Sequence, residues 1–286
     1  MTCGQWLRKY TSIFQQEGIE EAVEEAGVLL CHALKLSKAE MFSQPERVIT
    51  VEELALLEGL AGRRLKREPS AYILGHKEFY GLDLFVDPRV LIPRPETEAL
   101  VEAAIGFARS SVGLNKKVIT VVDVGTGSGA IAIALALHIP GSMIHAVDIS
   151  FAALEVAAVN IERFKLGERV ITVQGDLLQQ INARVDIIVA NLPYISQGGM
   201  RLLQPEIANY EPEVALLSGA DGTEDIVRLL EQVPGKINQN GAVFLEIGRG
   251  QENEIMPLIA RRLPGSGVTL INDLAGIHRV IKIEAN

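Results

Sequence analysis

Apolar residues recur at helical spacing through the first third of the chain. Residues 6–16 and 19–36 each repeat apolar positions three or four residues apart, which is the pattern of helices that bury one face. A third helix is predicted from residue 50 to about Arg67, because residues 50–53 read Thr-Val-Glu-Glu and form a capping box. We therefore predict a small helical domain over residues 1–75.

Charged residues on these helices form an acidic and a basic group. The acidic group is expected to be a solvated face of the second helix and contains Glu20, Glu21, Glu24 and Glu25. The basic group ends the third helix and contains Arg63, Arg64, Lys66 and Arg67. Positive charge is favoured there by the helix dipole, although the same group could contact RNA or an acidic partner.

The pattern of apolar and polar residues changes from helical to β-like over residues 76–93. Two short β-like segments, 77–80 and 83–86, flank Gly81 and predict a β-hairpin linker. Residues 93–96 then read Pro-Arg-Pro-Glu, so that prolines restrict the backbone on both sides of Arg94. This stiff segment precedes a helix predicted over about 96–109, and it either marks a domain boundary or closes charged residues over a site.

From residue 118 onward, apolar runs typical of buried strands alternate with helical patterns. Strands are predicted at 118–122, 143–147, 170–173, 185–190, 242–246, 268–272 and 278–283. Helices are predicted at 129–139, 151–166 (with Leu154, Ala158 and Ile161 in the core), 223–237 and 251–263. Such alternation indicates an α/β domain over residues 94–286 with a mostly parallel sheet covered on both faces. The link 273–277 is too short for a parallel crossover, so the sheet should end in an antiparallel hairpin.

Composition narrows the class of protein. The chain has 286 residues, is 48% hydrophobic and 22% charged, and carries a net charge of −9 with a pI near 5.2. These values are ordinary for a soluble globular protein and argue against a broad basic face, so no direct nucleic-acid substrate is expected. Cys3 and Cys31 have no metal-ligand spacing, the five histidines form no cluster, and no metal site is predicted.

Hydropathy along the chain predicts a cytoplasmic protein without membrane contact. Residues 1–14 lack a continuous apolar segment of the kind found in signal peptides. The longest apolar run, 130–137, is far too short to span a bilayer.

The turn after the first strand of the α/β domain, residues 123–130, reads Asp-Val-Gly-Thr-Gly-Ser-Gly-Ala. Glycines there let a ligand approach backbone N–H groups at a helix N-terminus, and their spacing also satisfies the dinucleotide fingerprint G-x-G-x-x-A. Asp148, at the end of the next strand, is placed to accept hydrogen bonds from ribose hydroxyls. NAD is therefore an alternative ligand on these features.

Two further carboxylates favour a cationic ligand without phosphate. Asp123, at the strand end beside the phosphate position, would repel a pyrophosphate but attract the ammonium of a methionyl group. Asp176, at the third strand end, could accept from an adenine amino group. Together with Asp148 they fit S-adenosylmethionine better than NAD.

The tetrapeptide Asn191, Leu192, Pro193 and Tyr194 follows the apolar run 185–190. A strand's carboxyl end is where open α/β sheets bind their ligands. The Asn191 side-chain carbonyl and the Leu192 backbone carbonyl could accept the two N–H groups of a planar NH2 group. Pro193 holds Leu192 extended, and Tyr194 offers a flat face for stacking. An ordinary strand-to-turn junction is the alternative reading of these residues alone.

These motifs together resemble the HemK/PrmC family, glutamine methyltransferases that modify peptide chain release factors. The resemblance covers essentially the whole chain and rests on segments 92–98, 123–129, 191–194, 210–222 and 246–251. The family usually has Asn-Pro-Pro-Tyr, so Leu192 is a departure, and Thr223 replaces a more frequent leucine. The implied fold is a class I S-adenosylmethionine-dependent methyltransferase, Rossmann-like and seven-stranded, with a small N-terminal helical domain.

The resemblance implies methyl transfer from S-adenosyl-L-methionine to the glutamine amide of a Gly-Gly-Gln motif, with S-adenosyl-L-homocysteine as product. Class 1 release factors are the implied partners of a monomeric, cytoplasmic enzyme. Residues 191–194 would be catalytic and, with Arg94 and Glu96, would bind substrate. The expected donor-binding residues are Asp123, Gly125, Thr126, Gly127, Ser128, Gly129, Asp148, Asp176, Leu177 and Asn191.

Three alternatives stay open on the sequence. An adenine-N6 methyltransferase shares the Asn-x-Pro-Tyr motif, but it would need base flipping and a basic cleft. A ribosomal protein could be the glutamine substrate instead of a release factor. The third alternative is a binding module in which Leu192 has disabled catalysis.

Overall fold

The computed structural model describes residues 1–112 and 118–285, which divide into two compact units. The first unit consists of Met1–His76 together with Gln204–Tyr210. The second unit runs from Lys77 to Leu203 and resumes at Glu211. The segment Gln204–Tyr210 had no place in the predicted helical domain, and the predicted limits of the domains stay a prediction.

The elements of the described residues are as follows. The helices are α1 (Cys3–Gln16), α2 (Ala22–Leu34), α3 (Lys38–Ser43), α4 (Val51–Leu65), α5 (Ser70–Leu74), α6 (Glu98–Phe107), α7 (Ala130–His138), α8 (Phe151–Arg163), α9 (Pro205–Tyr210), α10 (Glu224–Gln232) and α11 (Glu252–Arg262). The strands are β1 (His76–Phe79), β2 (Leu82–Phe85), β3 (Ile119–Val124), β4 (Ser142–Asp148), β5 (Val170–Gln174), β6 (Val185–Ala190), β7 (Ile237–Glu246), β8 (Gly267–Asn272) and β9 (His278–Glu284).

Polar caps set the starts of three helices in the first unit. Thr2, Ser37 and Thr50 each accept from a backbone N–H in the first turn while a side chain of that turn reaches back, forming capping boxes. The helix α3 was not predicted, because its six residues are too few for a clear periodic pattern. The apolar faces meet in one core that includes Trp6, Phe14, Leu29, Leu30 and Leu57.

The prediction that the acidic group is simply a solvated face is wrong for one member. Glu25 accepts from Arg64 Nε at 2.6 Å, and Arg64 is only 4% exposed. Arg64 also bonds Glu206 of α9 at 2.9 Å, and Arg67 reaches the other oxygen of Glu206 at 2.8 Å. A buried guanidinium needs carboxylate partners to offset its lost hydration. Two of the four residues of the predicted basic group, Arg64 and Arg67, are therefore engaged in ion pairs with Glu206.

The strand order in the second unit's main sheet is β5-β4-β3-β6-β7-β9-β8. The first five of these strands are parallel to one another, whereas β9 is antiparallel to both β7 and β8. This arrangement confirms the predicted mostly parallel sheet with an antiparallel end. The chain builds outward from β3 to β5 and returns to place β6 on the other side of β3, which creates a crevice at the carboxyl ends of β3 and β6.

Helices cover both faces of this sheet. One apolar core packs α6, α7 and α8 on one face, and a second core packs α10 and α11 on the other. Of the predicted core positions of α8, Leu154 and Ile161 are buried, whereas Ala158 is exposed and its neighbour Ala157 is buried. All six residues of β6 are buried, as expected for a strand covered on both sides.

None of the helices formed by residues 1–112 and 118–285 combines the length and the apolar character needed to cross a membrane. Within the same ranges, no group of three or more His, Cys, Asp or Glu side chains is arranged to hold a metal ion.

Candidate active site

A cavity of about 210 Å³ lies at the carboxyl ends of β3, β4, β5 and β6. Residues of the glycine-rich turn, Asp148, Asp176 and the segment Asn191–Pro193 line it. These residues are distant in the sequence and meet only because β6 lies beside β3. The strand order therefore brings the two predicted parts of the site into one space.

The glycine-rich turn after β3 has a left-handed backbone that glycine favours. Gly125, Gly127 and Gly129 have φ of +74°, +54° and +81°. A Cβ on Gly125 would lie 3.3 Å from Leu192 Cδ2, whereas one on Gly127 would meet nothing within 4 Å. The turn is thus packed against Leu192 on one side, and open space lies beside Gly127.

The N–H groups of this turn are used within the protein. Those of Gly125 and Thr126 both donate to Val147 O at 2.9 Å, and that of Gly129 donates to Thr126 O at 2.8 Å. The N–H of Gly127 donates to Asp148 Oδ2 at 2.9 Å. These four groups are therefore not available as the array of donors that a pyrophosphate needs.

Asp123 is fully buried and braces the turn. Its Oδ2 accepts from Thr126 Oγ1 at 2.6 Å and from the N–H of Ala132 at 3.1 Å, while its Oδ1 is buried without a partner. Burial raises the pKa of Asp123 to about 7, against the opposing effect of the Thr126 hydrogen bond. Thr126 and Ser128 are also buried, so these polar residues hold the turn together from within.

Asp148 ends β4 and faces the cavity. Its two oxygens accept from the N–H groups of Gly127 and Ser150, each at 2.9 Å. Burial raises the pKa of Asp148, and these backbone hydrogen bonds oppose the rise. A carboxylate oxygen can accept more than one hydrogen bond, so Asp148 keeps capacity for hydroxyl groups of a ligand.

Asp176 and Leu177 follow β5 and line the cavity on the side away from Asn191, because β5 is the farthest of these strands from β6. Asp176 forms an ion pair with Arg228 of α10, which also lines the cavity, and accepts from Gln179 at 3.2 Å. Leu177 is buried with a φ of +55°. The partner of Asp176 was not foreseen, because Arg228 follows it by 52 residues.

The side chain of Asn191 is held in one orientation. Its Nδ2 donates to Thr97 Oγ1 at 3.0 Å, which leaves its Oδ1 as a free-standing acceptor at the cavity. Leu192 is only 5% exposed and its side chain belongs to the core beneath the sheet end. The tetrapeptide therefore presents the side-chain oxygen of Asn191 at the cavity, and the buried side chain of Leu192 anchors its backbone.

Tyr194 is fixed through its backbone and its ring. Gln251 Nε2 donates to Tyr194 O at 3.1 Å and also to Gly222 O at 3.1 Å. A Cβ on Gly248 would lie 3.2 Å from Tyr194 Cδ2, so the ring packs directly on that glycine. Burial and the charge of Glu246 raise the pKa of Tyr194 to about 12, which keeps the phenol neutral.

The predicted substrate residues Arg94 and Glu96 are placed differently from each other. Arg94 Nη2 donates to Glu211 Oε1 at 2.5 Å, and the Glu211 side chain is only 1% exposed. Burial raises the pKa of Glu211, with the charge of Arg94 opposing the rise. Glu96 is exposed. Arg94 thus anchors the segment after residue 210 while its side chain stays partly exposed, and Glu96 is the more exposed of the two.

Four polar residues around the site received no role from the sequence. They are Thr97, Glu211, Glu246 and Gln251, and each lies in one of the segments that carried the family resemblance. Their positions in those motifs were the available signal. Their partners could not be predicted, because the hydrogen bonds join residues far apart in the chain.

Comparison with known families gives two matches. The family described as PrmC N-terminal domain matches residues 5–75, and the family described as Ribosomal protein L11 methyltransferase (PrmA) matches residues 109–209. Among solved structures, the hMettl16 catalytic domain in complex with the MAT2A 3'UTR hairpin 6 is similar with a TM-score of 0.58 and 16% identity. That likeness covers 75% of this chain and 80% of the other, and it concerns the fold alone.

Similar proteins of known name cover nearly the whole chain. A release factor glutamine methyltransferase of Rhodopirellula baltica is 37% identical over 96% of this chain and 93% of its own length. A protein of the same name from Geobacter sulfurreducens is 38% identical over 90% of this chain and 86% of its own length. The sheet topology, the glycine-rich turn and the Asn-x-Pro-Tyr-type segment agree with these matches, and the chain belongs to the release factor glutamine methyltransferase family.

Proposed function

We propose that this protein transfers a methyl group from S-adenosyl-L-methionine to the side-chain amide nitrogen of a glutamine in the Gly-Gly-Gln motif of class 1 release factors. One observation carries the proposal. Asn191 is fixed by Thr97 so that its Oδ1 remains an acceptor, and it shares a cavity with Asp148 and the glycine-rich turn. A site for the methyl donor and a site for an amide therefore adjoin.

The cavity suits a methyl donor of this kind better than NAD. Asp148 would bind the ribose hydroxyls, and Leu177 would pack against the adenine. Four N–H groups of the turn are occupied, which disfavours a pyrophosphate. A cationic group bound near the end of β3 would favour the ionised form of Asp123, whose Oδ1 has no partner. When bound, the donor supplies an electrophilic methyl group on a sulfonium sulfur.

The chain's own residues would orient and activate the glutamine amide. Its nitrogen is a poor nucleophile because its lone pair is delocalised into the carbonyl. Hydrogen bonds from its two N–H groups to Asn191 Oδ1 and to the Leu192 carbonyl shift electron density onto the nitrogen. They also aim it at the methyl carbon, and such orientation contributes on the order of 7–11 kcal/mol in well-positioned reactions.

The atoms balance without a strong base. A carbon–nitrogen bond forms as the carbon–sulfur bond breaks, and the alkylated amide nitrogen then readily releases a proton to water. The products are the N5-methylglutamine and S-adenosyl-L-homocysteine. Tyr194 would pack its ring on the amide plane, and its neutral phenol avoids placing a charge beside the reacting nitrogen.

The first unit would recognise the body of the release factor. Among its described residues, no group of three or more His, Cys, Asp or Glu side chains is arranged to hold a metal ion, and many of its apolar side chains pack into its own core. The family match to residues 5–75 supports a role specific to this class of enzyme. Partner binding is the function that remains for it.

The proposal is tested by incubating the full chain with labelled methyl donor and a class 1 release factor, followed by mapping of the modified residue. Label on the Gly-Gly-Gln glutamine is expected, with none on a release factor whose glutamine is replaced by asparagine. Asn191→Ala should reduce the rate by orders of magnitude, whereas Asn253→Ala on the exposed side of α11 should not. Label on DNA, RNA or a ribosomal protein alone would overturn the proposal.

A further inference from the structure

The side chain of Gln251 joins three backbone segments near the carboxyl ends of β6 and β7. Its Oε1 accepts from the N–H of Gly248 at 2.8 Å, and its Nε2 donates to Tyr194 O and to Gly222 O, each at 3.1 Å. Tyr194 follows β6, Gly222 precedes α10 and Gly248 follows β7. One side chain therefore links segments that lie up to 57 residues away from it in the sequence.

The three partners dictate the chemistry of the side chain between them. A backbone N–H can only donate and a backbone carbonyl can only accept, so the joining group must offer one acceptor and two donors. The glutamine amide supplies this set, with Oε1 toward Gly248 and the NH2 group toward the two carbonyls. An ionised glutamate has the same shape but no donor, and asparagine is shorter by one methylene group. The position therefore requires glutamine for all three hydrogen bonds.

The packing around Gly248 brings the Gln251 amide and the Tyr194 ring to the same glycine. Gly248 is buried, and a Cβ built on it would lie 2.9 Å from Gln251 Oε1 and 3.2 Å from Tyr194 Cδ2. Any side chain at residue 248 would therefore push against both groups. The turn after β7 thus contacts the ring of Tyr194 directly and holds its carbonyl through Gln251.

Backbone pairing holds the chain immediately after Tyr194. The N–H of Ile195 donates to Leu216 O at 3.0 Å, and Ile195 O accepts from the N–H of Ser218 at 2.9 Å. The hydrogen bond from Gln251 extends this hold by one residue, to the carbonyl of Tyr194 itself. Gln251 is thus the side chain that connects the backbone of the tetrapeptide to the end of β7.

We infer that Gln251 is a positioning residue that sets where Tyr194 lies relative to the substrate amide. The inference rests on the proposed function, because that function places the Tyr194 ring on the amide plane of the glutamine. Gln251 does not line the donor cavity, and the cavity residue Asp148 is held by its own hydrogen bonds to backbone N–H groups. Loss of Gln251 should therefore lower kcat and leave the affinity for the methyl donor unchanged.

The first test compares two exchanges of an amide for a carboxylate. Gln251→Glu leaves two carbonyls without a donor and places a charge against them, so Tyr194 must move. A shift of about 1 Å should lower kcat about a hundredfold, with the donor Kd within about twofold of wild type.

The matched control is Asn238→Asp, at the opposite end of β6 and β7. Asn238 Nδ2 donates to Asp186 Oδ1 at 2.7 Å, so this exchange also replaces a donor by an acceptor that faces an oxygen atom. Both variants should lower the free energy of unfolding. Only Gln251→Glu should lower kcat, whereas kcat of Asn238→Asp should stay within about threefold of wild type.

Two further comparisons distinguish positioning of Tyr194 from general damage. Gln251→Met removes the three hydrogen bonds without adding a charge and should also lower kcat, by about tenfold or more, so the test does not depend on the folding of the glutamate variant. In a Tyr194→Leu background, either change should lower the residual kcat by less than about threefold, because the ring that Gln251 positions is gone. Equal factors in both backgrounds, or a loss no greater than in Asn238→Asp, would overturn the inference.

The second test is spectroscopic and does not need activity. The side-chain amide 15N–1H signals of Gln251, assigned by their loss in Gln251→Met, should exchange slowly with water because both N–H groups are hydrogen-bonded. The ring signals of Tyr194, assigned by their loss in Tyr194→Leu, should shift in Gln251→Met and stay in place in Asn238→Asp. Rapid exchange of both amide protons, or an unmoved ring, would refute the role of Gln251. A wild type that does not methylate a Gly-Gly-Gln protein would instead refute the proposed function, and these spectra would still decide whether Gln251 holds Tyr194.

Discussion

Gly222 provides a demanding test of how the backbone holds Tyr194. Gly222 is buried with a φ of +85°, and a Cβ built on it would lie 2.5 Å from Tyr194 O and 3.1 Å from Ser196 N. Both contacts are with backbone atoms, which cannot swing aside as a side chain does. Gly222→Ala must therefore displace the chain that carries Tyr194.

The matched control is Gly235→Ala. Gly235 has a φ of +83°, close to that of Gly222, but a Cβ there would meet nothing within 4 Å. The left-handed conformation costs a non-glycine residue about 1–2 kcal/mol, and this penalty should be common to both variants. Only Gly222→Ala adds contacts with the backbone of Tyr194 and Ser196, so the difference between the two variants measures the effect of those contacts.

The expected magnitudes follow from the displacement. Moving Tyr194 O from 2.5 Å to an ordinary contact requires a shift of about 1 Å. Overpacking of this kind adds about 1–3 kcal/mol to the strain, so Gly222→Ala should lose about 2–5 kcal/mol of unfolding free energy against about 1–2 for the control. A misplacement of about 1 Å can reduce a reaction rate by roughly a hundredfold.

Two assays measure these effects on the same preparations. Urea unfolding gives the free energy of unfolding, and single-turnover methyl transfer at saturating donor gives the rate. The rate should fall by about two orders of magnitude in Gly222→Ala and by less than threefold in Gly235→Ala. Equal losses of stability and equal rates in the two variants would show that Tyr194 is not held by this contact.

Three further predictions follow from the site and the first unit. Asp148→Ala should weaken donor binding by about 1.5–3 kcal/mol in calorimetry, whereas tight NAD binding by the wild type would contradict the donor assignment. Leu192→Pro should change the methyl-transfer rate by less than about tenfold, because the backbone carbonyl is kept. The same change should lower the free energy of unfolding by about 0.8 kcal/mol for each buried CH2 lost. A wild-type protein that is inactive until Leu192 is changed to proline would refute the reasoning. Deleting residues 1–75 should raise KM for a full-length release factor far more than the donor Kd, and an unchanged KM in a chain that circular dichroism shows to be folded would remove the first unit from recognition.

The sequence alone determined the type and order of most elements. A strand that is buried on both faces is mostly apolar along its length. The continuous apolar runs in the sequence therefore predicted β3 and β6 as strands. The short link between β8 and β9 excluded a parallel crossover and so predicted the antiparallel end of the sheet. The glycine-rich turn and the tetrapeptide could be recognised in the sequence because each motif consists of consecutive residues.

Tertiary structure alone decided how those local pieces meet. The placement of β6 beside β3 brings Asn191 to the glycine-rich turn, and no periodicity in the sequence encodes which strands become neighbours. Glu206 pairs with Arg64 and Arg67 from more than a hundred residues away. The bond from Asn191 to Thr97 likewise spans 94 residues. Such partners depend on the positions of buried side chains, because burial, not the local sequence, creates the need for a polar partner.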